Sequence, residues 1–175
     1  MTNYGVITVS AGGALTLKSG TAITDDTTVV STITHTGSVT VAGNGSLTLD
    51  DTASITGGSV TVSAASGVAT LNGSSGLFSG TVFNSGMLNA NGDNTVDNVT
   101  GSGSIKIGDN DTLTLDGSVS NTITFVGGSS GTDGGTLVLN DASGDADAVN
   151  VNSTTGRYLH NPGRWQRRFW LRRWH

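Results

Sequence analysis

Short segments that alternate apolar and polar residues dominate the first 156 positions. The commonest unit is apolar, Thr, apolar, which has the period of two expected for a strand with one buried face. A small residue usually comes before each unit, and Asp, Asn, Gly or Ser often follows it. Clear examples are residues 15–17, 39–41, 47–49, 60–62, 113–115 and 123–125. The pattern predicts many short β-strands.

The spacing of these units predicts how the strands are arranged. Val39 lies three short units before Val60, and the step from Val60 to Val82 is almost the same length. Three short strands in each turn of roughly 20–22 residues are typical of a β-solenoid. We therefore predict an all-β fold, a single-stranded right-handed parallel β-helix of about seven short coils over residues 1–152. Aliphatic side chains would stack inside it.

The amino-acid composition excludes several fold classes and several kinds of site. All 13 acidic residues are Asp, and the chain has 27 Gly, one Pro and no Cys. The scarcity of strong helix formers argues against a helical bundle or a doubly wound α/β fold. The lack of Cys excludes disulfides and thiolate metal sites. The first residues have neither a basic nor a long apolar region, so no secretory signal peptide is predicted there.

Three segments resemble the repeats of large bacterial surface proteins. They read GSLTLD at 45–50, GSVTV at 58–62 and GTLVLN at 135–140. Similar repeats occur in autotransporter passengers, haemagglutinin-like adhesins and repetitive proteobacterial exoproteins, and the likeness covers residues 5 to about 152. The resemblance implies a parallel β-helix that is extracellular or at the cell surface, associated with the outer membrane, as part of a longer chain. We expect a structural or adhesive role without catalysis, with a host surface or a polysaccharide as partner.

Two further expectations concern partners and catalysis. Open coil ends expose strand edges, so self-association through them is predicted. No specific nucleic-acid partner is expected. A polysaccharide-processing enzyme on the same scaffold is the alternative, because acid pairs such as Asp25 with Asp26 and Asp50 with Asp51 could act as acid and base. Residues 1–156 contain no Arg or Trp to hold a sugar.

A calcium-binding repeat exoprotein is a second alternative. Residues 108–113 read GDNDTL and partly resemble the calcium-binding nonapeptide repeat, and GSSGTD at 128–133 does so too. Carboxylate and carbonyl oxygens are the ligands that Ca²⁺ prefers. The candidate ligands are Asp109, Asp111 and Asp133; no other cofactor is expected. Outward Thr rows also raise an ice-binding hypothesis.

Residues 153–175 are predicted to form an irregular tail. Residues 1–156 carry 13 Asp and two Lys, a net charge of −11, whereas residues 157–175 carry six Arg and no acid. All three Trp lie in the second segment. One interpretation is a cationic, Trp-rich segment whose contact with a membrane would run through residues 157–175 alone. The other is translation out of frame, which the nucleotide sequence would test.

Overall fold

The computed structural model of the chain is a stack of parallel β-strands. It describes residues 1–25, 29–30, 33–34, 37–64, 66–78, 81–126, 134–140, 150–152 and 157–160. The strands are β1 (Thr2–Asn3), β2 (Val6–Val9), β3 (Ala14–Leu17), β4 (Ala22–Asp25), β5 (Val29–Val30), β6 (Ile33–Thr34), β7 (Ser38–Val41), β8 (Ser46–Leu49), β9 (Ser54–Thr56), β10 (Ser59–Val62), β11 (Val68–Gly73), β12 (Gly76–Phe78), β13 (Thr81–Asn84), β14 (Met87–Thr100), β15 (Ser104–Ile107), β16 (Thr112–Val119), β17 (Thr122–Phe125), β18 (Thr136–Leu139), β19 (Asn150–Asn152) and β20 (Arg157–His160).

The strands form three faces around one axis. Face 1 begins with β2 and continues through β7, β10 and β13. Face 2 runs through β3, β8, β11, the start of β14, β15, β17 and β19. Face 3 includes β4, β9, β12, the middle of β14, β16, β18 and β20. The seven described strands on face 2 match the seven coils expected, and the parallel β-helix is confirmed.

Inward residues stack in register into aliphatic rows. On face 2, one such row contains Leu47, Ala69, Leu88, Ile105 and Ile123, and each of these side chains is buried. The period-two pattern of each strand places alternate residues inside, so the apolar members of the repeated units become the core. Burial of these rows is the main source of stability of the fold.

The length of a coil varies along the stack. The first step on face 1, from Ile7 to its register partner Val39, is the longest on that face, because an antiparallel pair, β5 with β6, is inserted there. The next two steps place Val39, Val60 and Val82 over one another, as their spacing in the sequence predicts. The insertion changes the length of one coil without changing the register of the faces.

The coils formed by β14 and β15 contain fewer residues than predicted. In these coils a single long strand, β14, continues from one face of the stack to the next. Met87 and Ser104 are register partners on face 2, although the segment between them is shorter than the predicted repeat. Strand β14 contains 14 residues and contributes to all three faces. The inward positions Leu88, Val96 and Val99 of this Asn-rich stretch are fully buried. Continuous pairing therefore replaces separate turns in this part of the stack.

Buried asparagines cross-link the shorter coils. The Asn84 side chain is fully buried, and its Nδ2 donates a hydrogen bond to Ser104 O at 3.0 Å. Asn121 is 1% exposed, and its Nδ2 donates to Asn84 O at 2.8 Å and to Gly103 O at 3.1 Å. These amides give buried corner carbonyls the hydrogen-bond donors that water supplies at an exposed turn.

Strand pairing continues past the predicted boundary at residue 152. Strand β20 pairs with β18 through the register partners Thr136 and Arg157. The remaining residues of the predicted tail, 153–156 and 161–175, lie outside the described part of the chain. No helix in the described part is long and apolar enough to cross a bilayer.

Candidate functional site

The predicted calcium ligands fall on one turn and one undescribed segment. Asp109 and Asp111 lie in the turn between β15 and β16, where Asp111 N donates to Gly108 O at 3.4 Å. Asn110 has a φ of 60°, the left-handed conformation that Asn tolerates and that tight turns require. Asp133 lies outside the described residues.

The two described carboxylates are not joined by a third acidic ligand. The Asp111 carboxylate folds back over Gly108, where it occupies the space that a Cβ at that position would take. The buried Oδ1 of Asp109 accepts no hydrogen bond from the described residues. No group of three or more His, Asp or Glu side chains suited to a metal occurs among the residues that the structure describes. Calcium binding therefore stays a prediction.

A polar ladder, which we call the polar corner, runs beside face 2. It comprises Lys18, Asp50, Asn72 and Asn91. Lys18 Nζ donates to Asp50 Oδ2 at 3.0 Å, Asn72 Nδ2 donates to Asp50 Oδ1 at 2.9 Å, and Asn91 Nδ2 donates to Asn72 Oδ1 at 3.1 Å. The hydrogen bonds from Asn72 and then from Lys18 hold the pKa of Asp50 below its ordinary value. The ladder binds four successive coils together on the outside.

Sequence reasoning missed the polar corner, although a signal was present. Each of its members directly follows the second inward residue of a face 2 strand, namely Leu17, Leu49, Leu71 and Ala90. Equivalent positions in successive coils lie about 4.8 Å apart, so polar residues in that place meet along the axis. Aligning the chain by coil would have revealed the ladder.

One pair of carboxylates lies on adjacent coils. Asp97 and Asp116 are register partners on β14 and β16. Burial, and then the negative charge of Asp116, raise the pKa of Asp97 above its ordinary value. The acid pairs chosen from the sequence were neighbours within one coil, so this cross-coil pair was not among them. It is the described geometry closest to an acid and base pair.

A buried carboxyl, that of Asp25, lies near the start of the stack. Asp25 is 3% exposed; its Oδ1 accepts a hydrogen bond from Asn3 Nδ2 at 2.8 Å, while its Oδ2 has no partner among the described residues. Burial raises the pKa of Asp25, and the Asn3 hydrogen bond opposes that shift only in part. A side chain at Gly58, which has a φ of +58°, would overlap Asp25 and Gly37. Glycine there lets the coil close over the carboxyl.

Outward threonines form short rows on all three faces, and the row on face 3 contains Thr2, Thr24 and Thr56. On face 1, Thr8, Thr40 and Thr61 are in register, and Phe83 occupies the next position with 47% of its surface exposed. On face 2, the threonine row contains three members, Thr16, Thr48 and Thr70, and gives way to Asn89 and then Lys106. Each of the rows on faces 1 and 2 presents hydroxyl groups one coil apart. The next positions carry an aromatic ring on face 1, and an amide and then an amine on face 2.

Comparison with family models, curated proteins and solved structures gives no match to this chain. The functional argument therefore depends on the geometry of the stack and its outward rows.

Proposed function

We propose that the chain is a structural and adhesive segment of a secreted or surface-anchored bacterial repeat protein, without catalysis. The observation that supports this proposal is the parallel stack of the described strands, with polar side chains in register on its outside. Backbone hydrogen bonds between seven coils would make the segment stiff along its axis. Its place would be extracellular or at the cell surface, associated with the outer membrane, as the resemblance of its repeats implies.

The outward rows support adhesion by many weak contacts. The threonine row and the polar corner, both beside face 2, repeat hydroxyl, carboxylate and amide groups at about 4.8 Å along one axis. A polysaccharide chain repeats its hydroxyl groups in a similar linear way. Several weak contacts with one polymer add up through effective concentration, so no deep pocket is required.

Retention on insoluble polysaccharides tests this proposal. The chain is incubated with cellulose, chitin and peptidoglycan, and the bound fraction is measured. A triple variant, Thr16→Ala, Thr48→Ala and Thr70→Ala, should reduce retention stepwise relative to each single variant. A matched triple variant on face 1, Thr8→Ala, Thr40→Ala and Thr61→Ala, controls for general loss of hydroxyls. Failure of all three polymers to retain the chain would contradict adhesion to polysaccharide.

The Asp97 and Asp116 pair favours one alternative, a polysaccharide-processing enzyme. One carboxyl with a raised pKa beside another is an arrangement that acid and base catalysis uses. The test is release of reducing ends from neutral and uronic-acid polysaccharides. Turnover that is lost in both Asp97→Asn and Asp116→Asn would replace the structural proposal. Unchanged reducing ends in all samples would support the structural proposal over this alternative.

A further inference from the structure

The polar corner holds an amine, a carboxylate and an amide in direct contact. Lys18 Nζ donates to Asp50 Oδ2 at 3.0 Å, and Asn72 Nδ2 donates to the other carboxylate oxygen, Oδ1, at 2.9 Å. The Asp50 carboxylate therefore contacts both nitrogens. A neutral lysine amine is a nucleophile, and the side-chain amide carbon of Asn72, Cγ, is an electrophile that such an amine can attack.

The amide of Asn72 also receives a hydrogen bond on its oxygen. Asn91 Nδ2 donates to Asn72 Oδ1 at 3.1 Å. Negative charge would develop on this oxygen during attack at Cγ, and a donor placed there stabilises the transition state. The polar corner thus presents a nucleophile, a proton carrier, an electrophile and an oxyanion donor on four successive coils in register.

The Lys18 side chain is long enough to reach Asn72. The two residues follow equivalent positions of β3 and β11, two coils apart, so their Cα atoms lie about 9.6 Å from each other. At ordinary bond lengths, the covalent path from one Cα to the other through a bond between Lys18 Nζ and Asn72 Cγ spans about 10 Å when extended. Such a link fits the stack without displacing a strand.

We propose that Lys18 and Asn72 form an isopeptide bond that joins the coil of β3 to the coil of β11 across the coil of β8. The neutral Nζ of Lys18 attacks Asn72 Cγ. Asp50 accepts the proton that Nζ loses and delivers it to Asn72 Nδ2, which leaves as ammonia. The bond from Nζ to Cγ forms, the bond from Cγ to Nδ2 breaks, and no other reactant takes part. The fold accelerates this step because it holds the reacting groups together.

Exposure of the amine makes the reaction slow. The Lys18 side chain is 78% exposed, and Asp50 is the charged group in contact with it. An exposed lysine amine is mostly protonated at neutral pH. The freshly folded chain therefore carries the ion pair, and the isopeptide bond forms on standing, faster at mildly alkaline pH. Once formed, the bond closes a loop of the chain and restricts the unfolded state, as a disulfide does.

Mass spectrometry of the full chain tests the bond. Protein incubated at neutral and at mildly alkaline pH should lose one ammonia from its intact mass. After denaturation, trypsin should no longer cleave after Lys18, so residues 1–18 stay attached to the segment that ends at Lys106. The variant Lys18→Arg keeps the positive charge but lacks the amine, so it should lose no ammonia at this site and should still release residues 1–18.

Substitutions at the polar corner separate the roles of its members. Asp50→Asn removes the proton carrier and should slow formation of the bond about a hundredfold. Asn91→Ala removes the oxyanion donor and should slow it about tenfold, less than loss of a buried donor does. The matched control is Lys106 with its register partner Asn89. Their row on face 2 contains no carboxylate among the described residues, so trypsin should still cleave after Lys106.

Three outcomes would overturn the proposal. One is an intact mass that stays unchanged after prolonged alkaline incubation. Another is equal loss of ammonia in Lys18→Arg, which would assign the loss to a succinimide closed by the backbone nitrogen of Gly73 on Asn72. The third is an unchanged rate in Asp50→Asn, which would contradict the role of the carboxylate. These readouts do not depend on what the outward rows bind, so cross-linking and adhesion fail separately.

Discussion

The earlier coils, from β7 to β12, differ from the later coils, from β13 to β17, in their length and in the side chains that they bury. The earlier coils are the longer ones and fill the inside of β7 to β11 with aliphatic side chains and Ala. The later coils are shorter and also bury Asn84, Asn94 and Asn121. A shorter coil leaves fewer turn residues to bind corner carbonyls. Buried amides take over that task in the later coils.

The hydrogen bonds of Asn94 show how the two regions are joined. Asn94 Oδ1 accepts hydrogen bonds from Ser75 N at 3.2 Å and from Ser75 Oγ at 2.9 Å. Its Nδ2 donates to Asn91 O at 3.0 Å. Ser75 is itself 3% exposed, so the earlier and the later coils meet through a buried polar contact. The aliphatic rows continue through this point, so the change in corners does not interrupt the core.

The largest effect is expected for the aliphatic rows, in both regions. Leu47→Ala in an earlier coil and Ile105→Ala in a later coil each remove methyl groups from a fully buried position. Each should lower the free energy of unfolding by about 2–5 kcal/mol, measured by chemical denaturation. The outward control Thr48→Ala should change it by less than about 0.5 kcal/mol. Similar losses at Thr48 and Leu47 would contradict the assigned orientation of β8.

A smaller effect, confined to the later coils, is expected for the buried amides. Asn121→Ala removes the donor to Asn84 O and Gly103 O and should cost about 1–3 kcal/mol of unfolding free energy. Asn89→Ala, at an outward position of β14, is the matched control and should cost less than about 0.5 kcal/mol. If the two substitutions have equal effects, the corner carbonyls do not depend on the buried amide.

Acidification should act on the first coil through Asp25. Burial raises its pKa in the folded state, so the folded chain binds a proton more readily than the unfolded chain does. The contribution of Asp25 to stability therefore increases as the pH falls through the folded-state pKa towards the ordinary Asp value, and it is lost above that window. Asp25→Asn should abolish this contribution. The melting temperature of the natural chain relative to Asp25→Asn should rise as the pH is lowered from neutral to the ordinary Asp value.

The opposite sign holds for Asp50, whose pKa is lowered, so its contribution is lost as the pH falls. For this reason the Asp25→Asn comparison, rather than the absolute melting temperature, isolates Asp25. A difference between the two proteins that is independent of pH would contradict the effect assigned to burial.

The smallest effect is expected at the polar corner, where Lys18 and Asn91 are exposed and Asp50 and Asn72 are only partly buried. Asn72→Ala should raise the pKa of Asp50 more than Lys18→Ala does, because the Asn72 hydrogen bond is the larger cause of the shift. Carboxyl carbon NMR titration measures both shifts. Neither substitution should move the melting temperature by a resolvable amount, since exposed ion pairs contribute little. A larger pKa shift in Lys18→Ala would reverse the order of causes.

The sequence predicts the parallel solenoid, the inward rows and the seven coils because period-two units at regular spacing leave few other folds. Val39, Val60 and Val82 stack as their spacing indicates. The short coils of β14 were not predicted, because isolated anchors such as Leu88 and Val96 carry no strand period of their own. The Asp97 and Asp116 pair needs the register of β14 against β16, whose step along the chain is shorter than the predicted repeat.

Spin-label distances between outward positions of face 2 test the parallel stack most directly. Thr16 and Lys106 are four coils apart, and so are Thr48 and Thr124, although the second pair is closer along the sequence. At about 4.8 Å per coil, both pairs should lie about 19 Å apart, and Thr16 to Thr124 should be about 24 Å. Electron paramagnetic resonance on doubly labelled proteins measures these distances. Unequal distances for the two four-coil pairs, or no increase for the five-coil pair, would contradict the stack.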